Sequence, residues 1–481
     1  MKKYILMLGA LLSLGMVSCS EDWMGDVIPT DKLEDSQAFN TVKDGRNAVN
    51  GVLSLMQDEE YYGANYIVYG DLKAIDVRSS VINKRDDEMY RYTETTEAGN
   101  SGMWTQPYKC LVSVNNALAN IEKMVPDGDA ENVQKAEIEA NFYALRGLIH
   151  FDLLKIFARI PASVDNPTAE LGIVHADHVI TKDEQPVRKN LAEGYVFVIN
   201  DLKKAIELMP ASASTEGWFN KTAVKALLAR VYLFNGDNQL AYDLAKEVIA
   251  DTNYSLVPYG DYQASWTNSY NNKEGVFTLI NTDDDNPSRE GVGYLWSKTG
   301  YSSMMITNSF KDLLYANAND DRIKAIEEDV QKDDEGNVTG TDYLCIKYPD
   351  EFANKLHLIR LSEMYFIAAE AIYKVNAGNA AEAATLINTV IESRTDEADV
   401  LAGGDINIDR IITEKRKEFI GEGHTFFDLM RNKQDVVRIG DDHLVVAPMN
   451  IAYNDFKTIQ PIPRLELNVN DNIQQNPGYA E

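Results

Sequence analysis

Cysteine is scarce in this chain, with three residues among 481. One of them, Cys19, lies near the N-terminus. Cys110 falls within an apolar helical pattern, and Cys345 falls within the strand-like segment 343–346. The last two are therefore predicted to be unpaired thiols of the core. A disulfide-stapled fold and a cysteine-bound metal are excluded.

Basic residues are also in the minority: 46 lysines and arginines stand against 75 aspartates and glutamates, which gives a formal net charge of −29. A field of this sign repels nucleic acid and anionic lipid headgroups, so a nucleic-acid partner is not predicted. A neutral ligand, or one met by a local basic cluster, fits the composition best.

Catalytic and metal-binding motifs are missing as well. The sequence has no His-Glu-x-x-His zinc motif, no Gly-x-Ser-x-Gly nucleophile turn, no phosphate loop and no dinucleotide fingerprint. His175 and His178 are close in sequence, but zinc would need two further ligands there. The acidic segments 127–129 and 283–285 lack the spacing of a calcium loop. No catalytic residue, metal or cofactor is therefore predicted.

Long hydrophobic runs are limited to one, at residues 4–17 behind two lysines. It is too short to cross a bilayer and has the length of a signal-peptide core. The sequence Met16-Val17-Ser18-Cys19 resembles a bacterial lipobox, which predicts a signal peptide at 1–18 and a body at 19–481 that carries a lipid such as palmitate on Cys19. An ordinary cleavage site beside a chance cysteine is the alternative. The acidic segment 20–22 resembles a surface-export signal or serves as a plain tether.

The sequence does contain patterns that predict amphipathic helices. Apolar residues recur at i, i+3 and i+4, which predicts a mostly α-helical fold. The predicted helices span 104–123, 131–158, 191–208, 221–235, 238–250, 358–376 and 379–393.

Two of the helical pairs resemble each other. The first has Tyr232, Gly236, Ala241, Ala245 and Ile249, and the second has Tyr373, Gly378, Ala383, Ile387 and Ile391 with one residue added in the turn. Small residues at helix crossings and a glycine in the turn resemble tetratricopeptide helix–turn–helix units, which must stack on one another to bury their apolar faces. Two unrelated helical hairpins are the alternative.

Two stretches, 61–103 and 255–350, differ in composition from the predicted helices. They are rich in Tyr, Trp, Asn, Asp and Gly and contain only short apolar runs. Long loops of this kind usually carry function. Aromatic faces stack on sugar rings while polar side chains bond the hydroxyls, so these stretches are predicted to bind a ligand. The alternative is that most of the rings fill an irregular core. The candidate ligand-binding residues are Tyr66, Asn83, Arg85, Tyr92, Trp266, Tyr270, Trp296 and Tyr301.

Several segments together resemble the SusD/RagB family of outer-membrane nutrient-binding lipoproteins. They are the lipobox, the tetratricopeptide-like pairs, "NFYALRGLIHFDLLKIFARIP" (141–161), "RKEFIGEGHTFFDLMRNK" (416–433) and the tail "IQPIPRLELNVNDNIQQNPGY" (459–479). The resemblance implies tetratricopeptide-like units packed against a loop-rich ligand-binding side, and no enzymatic activity. It also implies a surface-exposed, lipid-anchored protein that acts as the lid of a SusC-like TonB-dependent transporter and captures glycans. The family has no shared binding-residue motif that could be transferred.

Three functions are left open by the sequence. The first is a glycan-binding lid of an importer, the second is the same lid carrying peptide or another nutrient, and the third is a surface glycoside hydrolase. The segment 416–433 groups Glu418, Glu422, His424 and Asp428 around two glycines, a pattern also found in acid–base active sites. We interpret it instead as a helix end, a tight turn and a new helix held by polar pairing.

Overall fold

The computed structural model describes residues 39–81, 85–97, 101–396, 400–440, 442–445 and 447–480. The lipidation prediction at Cys19 and the candidate Asn83 lie outside these ranges. Within them the fold is mostly helical, as predicted. The helices are α1 (Val42–Met56), α2 (Asn65–Leu72), α3 (Asp87–Arg91), α4 (Gly102–Asn120), α5 (Asp129–Phe157), α6 (Leu191–Leu208), α7 (Lys221–Asn235), α8 (Asn238–Ile249), α9 (Val292–Trp296), α10 (Asn308–Tyr315), α11 (Leu361–Val375), α12 (Ala380–Glu392), α13 (Ile408–Phe419), α14 (Thr425–Arg431) and α15 (Arg464–Leu467).

The long helices form one continuous stack. α1 packs on α4, α4 on α5, α5 on α6 and α6 on α7, and the pair α7–α8 then packs through α8 on the pair α11–α12. Ala241, Ala245 and Ala383 are fully buried where these helices cross. Small side chains let the helix axes approach closely, so the predicted stacking of the two related pairs is confirmed.

The turns of the two pairs differ. Gly236 follows α7 with φ of +90°, a left-handed conformation that glycine adopts without strain. In the second pair Asn376 instead accepts a hydrogen bond from the Gly378 amide at 2.9 Å and opens a short 3₁₀ turn. The extra residue of the second copy is taken up in this turn.

The strands form four small antiparallel sheets among the described residues. They are β1 (Val77–Ser79), β2 (Leu171–Val174), β3 (Arg188–Asn190), β4 (Gly275–Ile280), β5 (Met304–Ile306), β6 (Ile326–Lys332), β7 (Val338–Cys345), β8 (Lys355–Arg360), β9 (Val436–Val437) and β10 (Asn450–Ile451). The largest sheet has the order β1-β5-β7-β6, and the others pair β2 with β3, β4 with β8, and β9 with β10. β1 and β5 join the two loop-rich stretches, because Val77 pairs with Ile306 and Ser79 with Met304.

One predicted helix starts too early. The pattern at 358–376 predicts a helix from residue 358, whereas α11 begins at Leu361. Residues 355–360 form β8 instead, because they pair with β4 from Ile280 to Gly275. Both remaining cysteines are free and buried as predicted, and burial raises the pKa of Cys110 and of Cys345 to about 12.

Candidate functional site

The two loop-rich stretches meet at one side of the molecule. The amide of Val292 donates to the carbonyl oxygen of Gly63 at 2.8 Å, and the amide of Ser80 donates to that of Ser303 at 2.9 Å. These contacts and the β1–β5 pairing place Gly63 and residues 77–80 beside the segment around α9.

Arg85, Glu290 and Tyr301 form a bonded group where these stretches meet. The Arg85 guanidinium lies 4.3 Å from the centroid of the Tyr301 ring, and both of its terminal nitrogens donate to the Glu290 carboxylate, one of them at 3.3 Å. The Tyr301 hydroxyl donates to the same carboxylate at 3.2 Å. The Arg85 side chain is 48% exposed, so this group is held in place and still meets solvent.

Two further rings continue this group along the surface. The Tyr301 amide donates to the carbonyl oxygen of Tyr294 at 2.7 Å, and the Tyr294 ring lies 5.7 Å from the Phe352 ring at an interplanar angle of 35°. Phe352 is 40% exposed, whereas Tyr294 and Tyr301 are half-buried. We call Arg85, Glu290, Tyr294, Tyr301 and Phe352 the Tyr301 surface.

A carboxylate lies near the far end of this surface. Asp350 accepts hydrogen bonds from the hydroxyls of Thr299 and Ser297, the latter at 2.8 Å. These two bonds hold the pKa of Asp350 below its usual range, so the group is charged at neutral pH. The surface therefore offers apolar ring faces with charged groups nearby, which is the arrangement that suits a hydroxylated ring.

The structure buries four of the sequence-nominated residues. Tyr66 donates its hydroxyl to Asp152 at 2.5 Å, and Tyr92 donates to the backbone carbonyl of Lys73. The indole of Trp266 lies beneath the cations of Lys347 and Arg360, at 4.9 and 5.2 Å from its ring. Trp296 is fully buried. Tyr66 and Tyr92 are held by hydrogen bonds and Trp266 by ring–cation contacts, whereas the indole nitrogen of Trp296 has no hydrogen-bond partner among the described residues. All four rings are buried, so they offer no exposed platform.

Of the other nominated residues that the structure describes, two belong to the Tyr301 surface and one does not. Arg85 and Tyr301 belong to the Tyr301 surface. Tyr270 is half-buried and donates its hydroxyl to Asp261 at 3.0 Å, apart from that surface. Glu290, Asp350 and Phe352 were not nominated from the sequence. Phe352 had a usable signal, because a lone aromatic residue among polar neighbours in "PDEFAN" has few apolar partners and favours exposure.

Glu418 of segment 416–433 lies in a buried charge network. Its carboxylate accepts from Arg360 at 2.8 Å and from two nitrogens of Arg394 at 2.8 and 3.0 Å, and both arginines also bond Glu274. Burial opposes ionisation, but Arg394 and Arg360 outweigh it and hold the pKa of Glu418 well below its usual range. A carboxylate held in this way is not available as a proton donor at neutral pH.

The turn of this segment is shaped by glycine and packed against α2. Gly421 and Gly423 have φ of +81° and +74°, and a Cβ on Gly423 would lie 2.3 Å from the carbonyl oxygen of Ile67. The His424 ring stacks on Phe419 with centroids 4.4 Å apart. Burial and the nearby cation of Lys415 hold the pKa of His424 well below its usual value, so the ring is neutral.

A polar pair joins the two helices as predicted for this segment, but its α13 member lies one residue before the segment and was not among the residues predicted to pair. Lys415 of α13 donates to Asp428 of α14 at 2.8 Å. Arg416 instead bonds Asp76 at 2.9 Å, and Arg431 bonds Glu370 of α11 together with Asp428. The charges of this segment therefore join it to several elements and not only its own two helices.

The described residues contain no group of three or more histidine, cysteine, aspartate or glutamate side chains placed to hold a metal ion. His178 lies on an exposed loop, where Asp177 and Glu184 flank it at 2.5 and 2.8 Å. Among all the residues that the structure describes, no helix is both long and apolar enough to cross a membrane.

Comparison with known proteins decides the family. Residues 30–233 match a SusD-like family model described as starch-binding and associating with the outer membrane, and residues 246–479 match the SusD family model. A solved SusD superfamily protein of Bacteroides vulgatus is 32% identical, covers 92% of this chain and 100% of its own, and superposes with a TM-score of 0.85. This chain belongs to the SusD family.

Other relatives of this SusD-like protein agree. A SusD superfamily structure from Bacteroides thetaiotaomicron is 30% identical over 91% of this chain and 100% of that one, with a TM-score of 0.83. SusD-like protein P2 of Formosa agariphila is 26% identical over the whole of both chains. A laminarin-binding SusD-like protein shares the fold, with a TM-score of 0.72 at 19% identity over 92% of this chain.

Proposed function

We propose that this SusD-like protein captures neutral oligo- or polysaccharides at the cell surface and acts as the lid of a SusC-like TonB-dependent importer. The observation that carries the proposal is the Tyr301 surface. Its half-exposed rings can stack on sugar faces, while Arg85, Glu290 and Asp350 can bond hydroxyl groups. The starch-binding description of the family model and the laminarin ligand of one fold neighbour support the same class of ligand.

Preorganisation suits this surface to its proposed role. Arg85, Glu290 and Tyr301 already hold one another through hydrogen bonds and a cation–ring contact. Less side-chain entropy is then lost when a ligand binds. A tethered lid also keeps captured ligand near the importer, so weak binding with a Kd of about 1 μM to 1 mM, or roughly 4–8 kcal/mol, suffices and allows release.

Membrane attachment is proposed to occur through a lipid on Cys19, with the body outside the cell. A Cys19→Ala variant expressed in the native host should lose palmitate labelling and leave the membrane fraction. Retention of both would contradict the lipobox interpretation, and protease treatment of intact cells would test whether the body faces outward.

The ligand class can be tested by titrating the purified protein with laminarin, starch fragments and a matched panel of peptides. Tyr301→Ala should weaken glycan binding by about 5- to 30-fold, equivalent to about 1–2 kcal/mol, because a stacking face and the support of Arg85 are both lost. Tyr242→Ala provides a control, since Tyr242 is a half-buried tyrosine on α8, away from this surface.

Two results would contradict the proposal. If the protein binds peptides and none of the glycans, the proposed ligand class is wrong and the ligand is a peptide. Turnover of a chromogenic glycoside by the wild-type protein would show a hydrolase, whereas we expect binding without turnover.

A further inference from the structure

A second cleft, of about 530 Å³, lies at the junction of the helical pairs and the β4–β8 strand pair. Its size falls in the range of about 300–1,000 Å³ that is usual for small-molecule sites. It is bounded by the loop 211–218 before α7, the turn after α8, residues 271–272 and one edge of β4. It shares no residue with the Tyr301 surface. We call it the Asn271 cleft.

One wall of the cleft is fixed by its own hydrogen bonds. The Thr222 hydroxyl donates to Asp251 at 2.6 Å, and the Asn253 amide donates to the same carboxylate at 3.0 Å. Burial opposes ionisation of Asp251, but these bonds outweigh it and hold its pKa below the usual range. Beside it, the Asn220 side chain donates to the Tyr254 hydroxyl at 2.8 Å, which fixes a half-buried ring in the same wall.

The opposite wall is polar and uncharged. The Asn272 side-chain amide donates to His357 Nε2 at 3.2 Å, so the Nδ1–H group donates to the Thr278 hydroxyl at 2.8 Å. Burial, with a smaller effect of Arg360, lowers the pKa of His357 to about 4. The ring is therefore neutral at physiological pH.

The mouth of the cleft carries polar groups that have no internal partner. Across the described ranges, no hydrogen bond or ion pair engages the side chains of Ser214, Lys221 and Asn271. Glu216 and Lys355 face each other at 3.6 Å. Together with Asp251 and Lys221, the lining carries two acidic and two basic groups. The balance of charge favours a neutral ligand.

We propose that the Asn271 cleft is a second carbohydrate subsite that takes a short neutral oligosaccharide. Hydroxyl groups both donate and accept hydrogen bonds, and side-chain amides such as that of Asn271 do the same. The Tyr254 ring supplies an apolar face beside them. This inference rests on the proposed glycan-binding function, and it adds a second contact by which one polysaccharide chain can engage the protein, which raises avidity.

The test is calorimetric titration of the full-length chain in detergent with laminarin oligosaccharides and starch fragments. The wild type should bind two oligosaccharides per chain. Asn271→Ala should weaken one binding event by about 3- to 10-fold, as expected for the loss of one or two hydrogen bonds, and leave the other unchanged. Ser214→Trp places an indole at the exposed mouth and should abolish that same event. Tyr301→Ala should weaken only the other event.

Unchanged melting temperatures will establish that the variants fold, and because Asn271 and Ser214 are exposed, both are expected to do so. One bound oligosaccharide per chain, with affinity weakened in Tyr301→Ala and unchanged in Asn271→Ala, would overturn the second subsite and leave the proposed function standing. If none of these glycans binds at either place, the proposed function fails and the second subsite fails with it.

Discussion

Replacement of Glu418 by glutamine should destabilise the protein strongly and leave its glycan affinity unchanged. The Glu418 side chain has no exposed surface, and it accepts hydrogen bonds from Arg360 and Arg394 at 2.8–3.0 Å. A third cation, Arg322, lies 3.5 Å from the same carboxylate. Glutamine keeps the shape of the side chain but removes the negative charge and turns an amide donor towards guanidinium donors.

The expected loss is about 3–5 kcal/mol in the free energy of unfolding, the usual consequence of removing one partner from a buried ion pair. For a chain of this size, with an unfolding entropy of about 2.1 cal/mol/K per residue, that corresponds to a fall of roughly 3–5 °C in melting temperature. The pKa of Glu418 is lower in the folded than in the unfolded protein. Its stabilisation is therefore full at neutral pH and is lost as the pH falls below about 4, where the unfolded chain takes up the proton first.

The assay is thermal melting of wild type and variant at neutral pH, with glycan titration of each below the transition. Glu327→Gln is the matched control, because Glu327 pairs with Lys298 at 2.9 Å and its side chain is 45% exposed. An exposed pair of this kind contributes about 0–1 kcal/mol. The double variant Glu418→Leu and Arg394→Met should recover part of the loss, since it leaves one fewer unpaired charge in the interior.

The reasoning would be refuted if Glu418→Gln melted as close to the wild type as Glu327→Gln does. A different refutation would be a variant that melts normally and loses glycan affinity more than tenfold. That result would indicate that segment 416–433 takes part in ligand binding.

Other substitutions and conditions test neighbouring parts of the fold. His424→Ala should lower the melting temperature through loss of a half-buried ring that stacks on Phe419, while glycan affinity in the folded protein stays within twofold of wild type by titration. Gly423→Ala should be more damaging, because its Cβ would lie 2.3 Å from the Ile67 carbonyl at a positive φ, and circular dichroism melting should show a large loss or no folding. His357, with a pKa of about 4, must stay neutral for its Nε2 to accept from the Asn272 side-chain amide, so stability should fall as the pH drops from 6.5 to 4. A His357→Gln variant should show a weaker dependence in that interval, and an unchanged profile would contradict the assignment.

Local periodicity predicted the helical scaffold closely. The predicted helix 191–208 matches α6 at both ends. Its start is marked in the sequence by a capping box, in which Asn190 accepts from the Glu193 amide and the Glu193 carboxylate accepts from the Asn190 amide. The apolar periodicity and the capping box both involve residues close in sequence, so they can be recognised without knowledge of the fold. The start of α11 was predicted too early because a long-range interaction decides it. Residues 355–360 form β8 by pairing with β4, about 80 residues away in the chain.

Apart from Phe352, the Tyr301 surface, proposed as the ligand site, lies within the stretches that the sequence nominates, but most of the nominated residues do not belong to it. Composition identifies stretches rich in aromatic rings, and β1–β5 pairing brings those stretches together. Whether a given ring is exposed depends on partners that are distant in sequence. Tyr61, Tyr62 and Tyr66 all donate their hydroxyls to Asp152, an aspartate within the apolar helix α5. A carboxylate in such a place signals buried donors, although the sequence does not show which tyrosines supply them.

The buried charge network joins the loop-rich side, which carries the Tyr301 surface, to the helical stack. Glu274 precedes β4, Arg360 ends β8 and immediately precedes α11, Arg394 follows α12, and Glu418 lies near the end of α13. Each charge therefore stands at a junction between elements, and the loop that carries Glu290 continues directly from β4. Because ionic pairs in a dry interior tolerate little displacement, the network restricts how these junctions can move. For the glycan capture proposed above, a surface whose supporting junctions are restricted in this way loses less entropy on binding than one on unsupported loops.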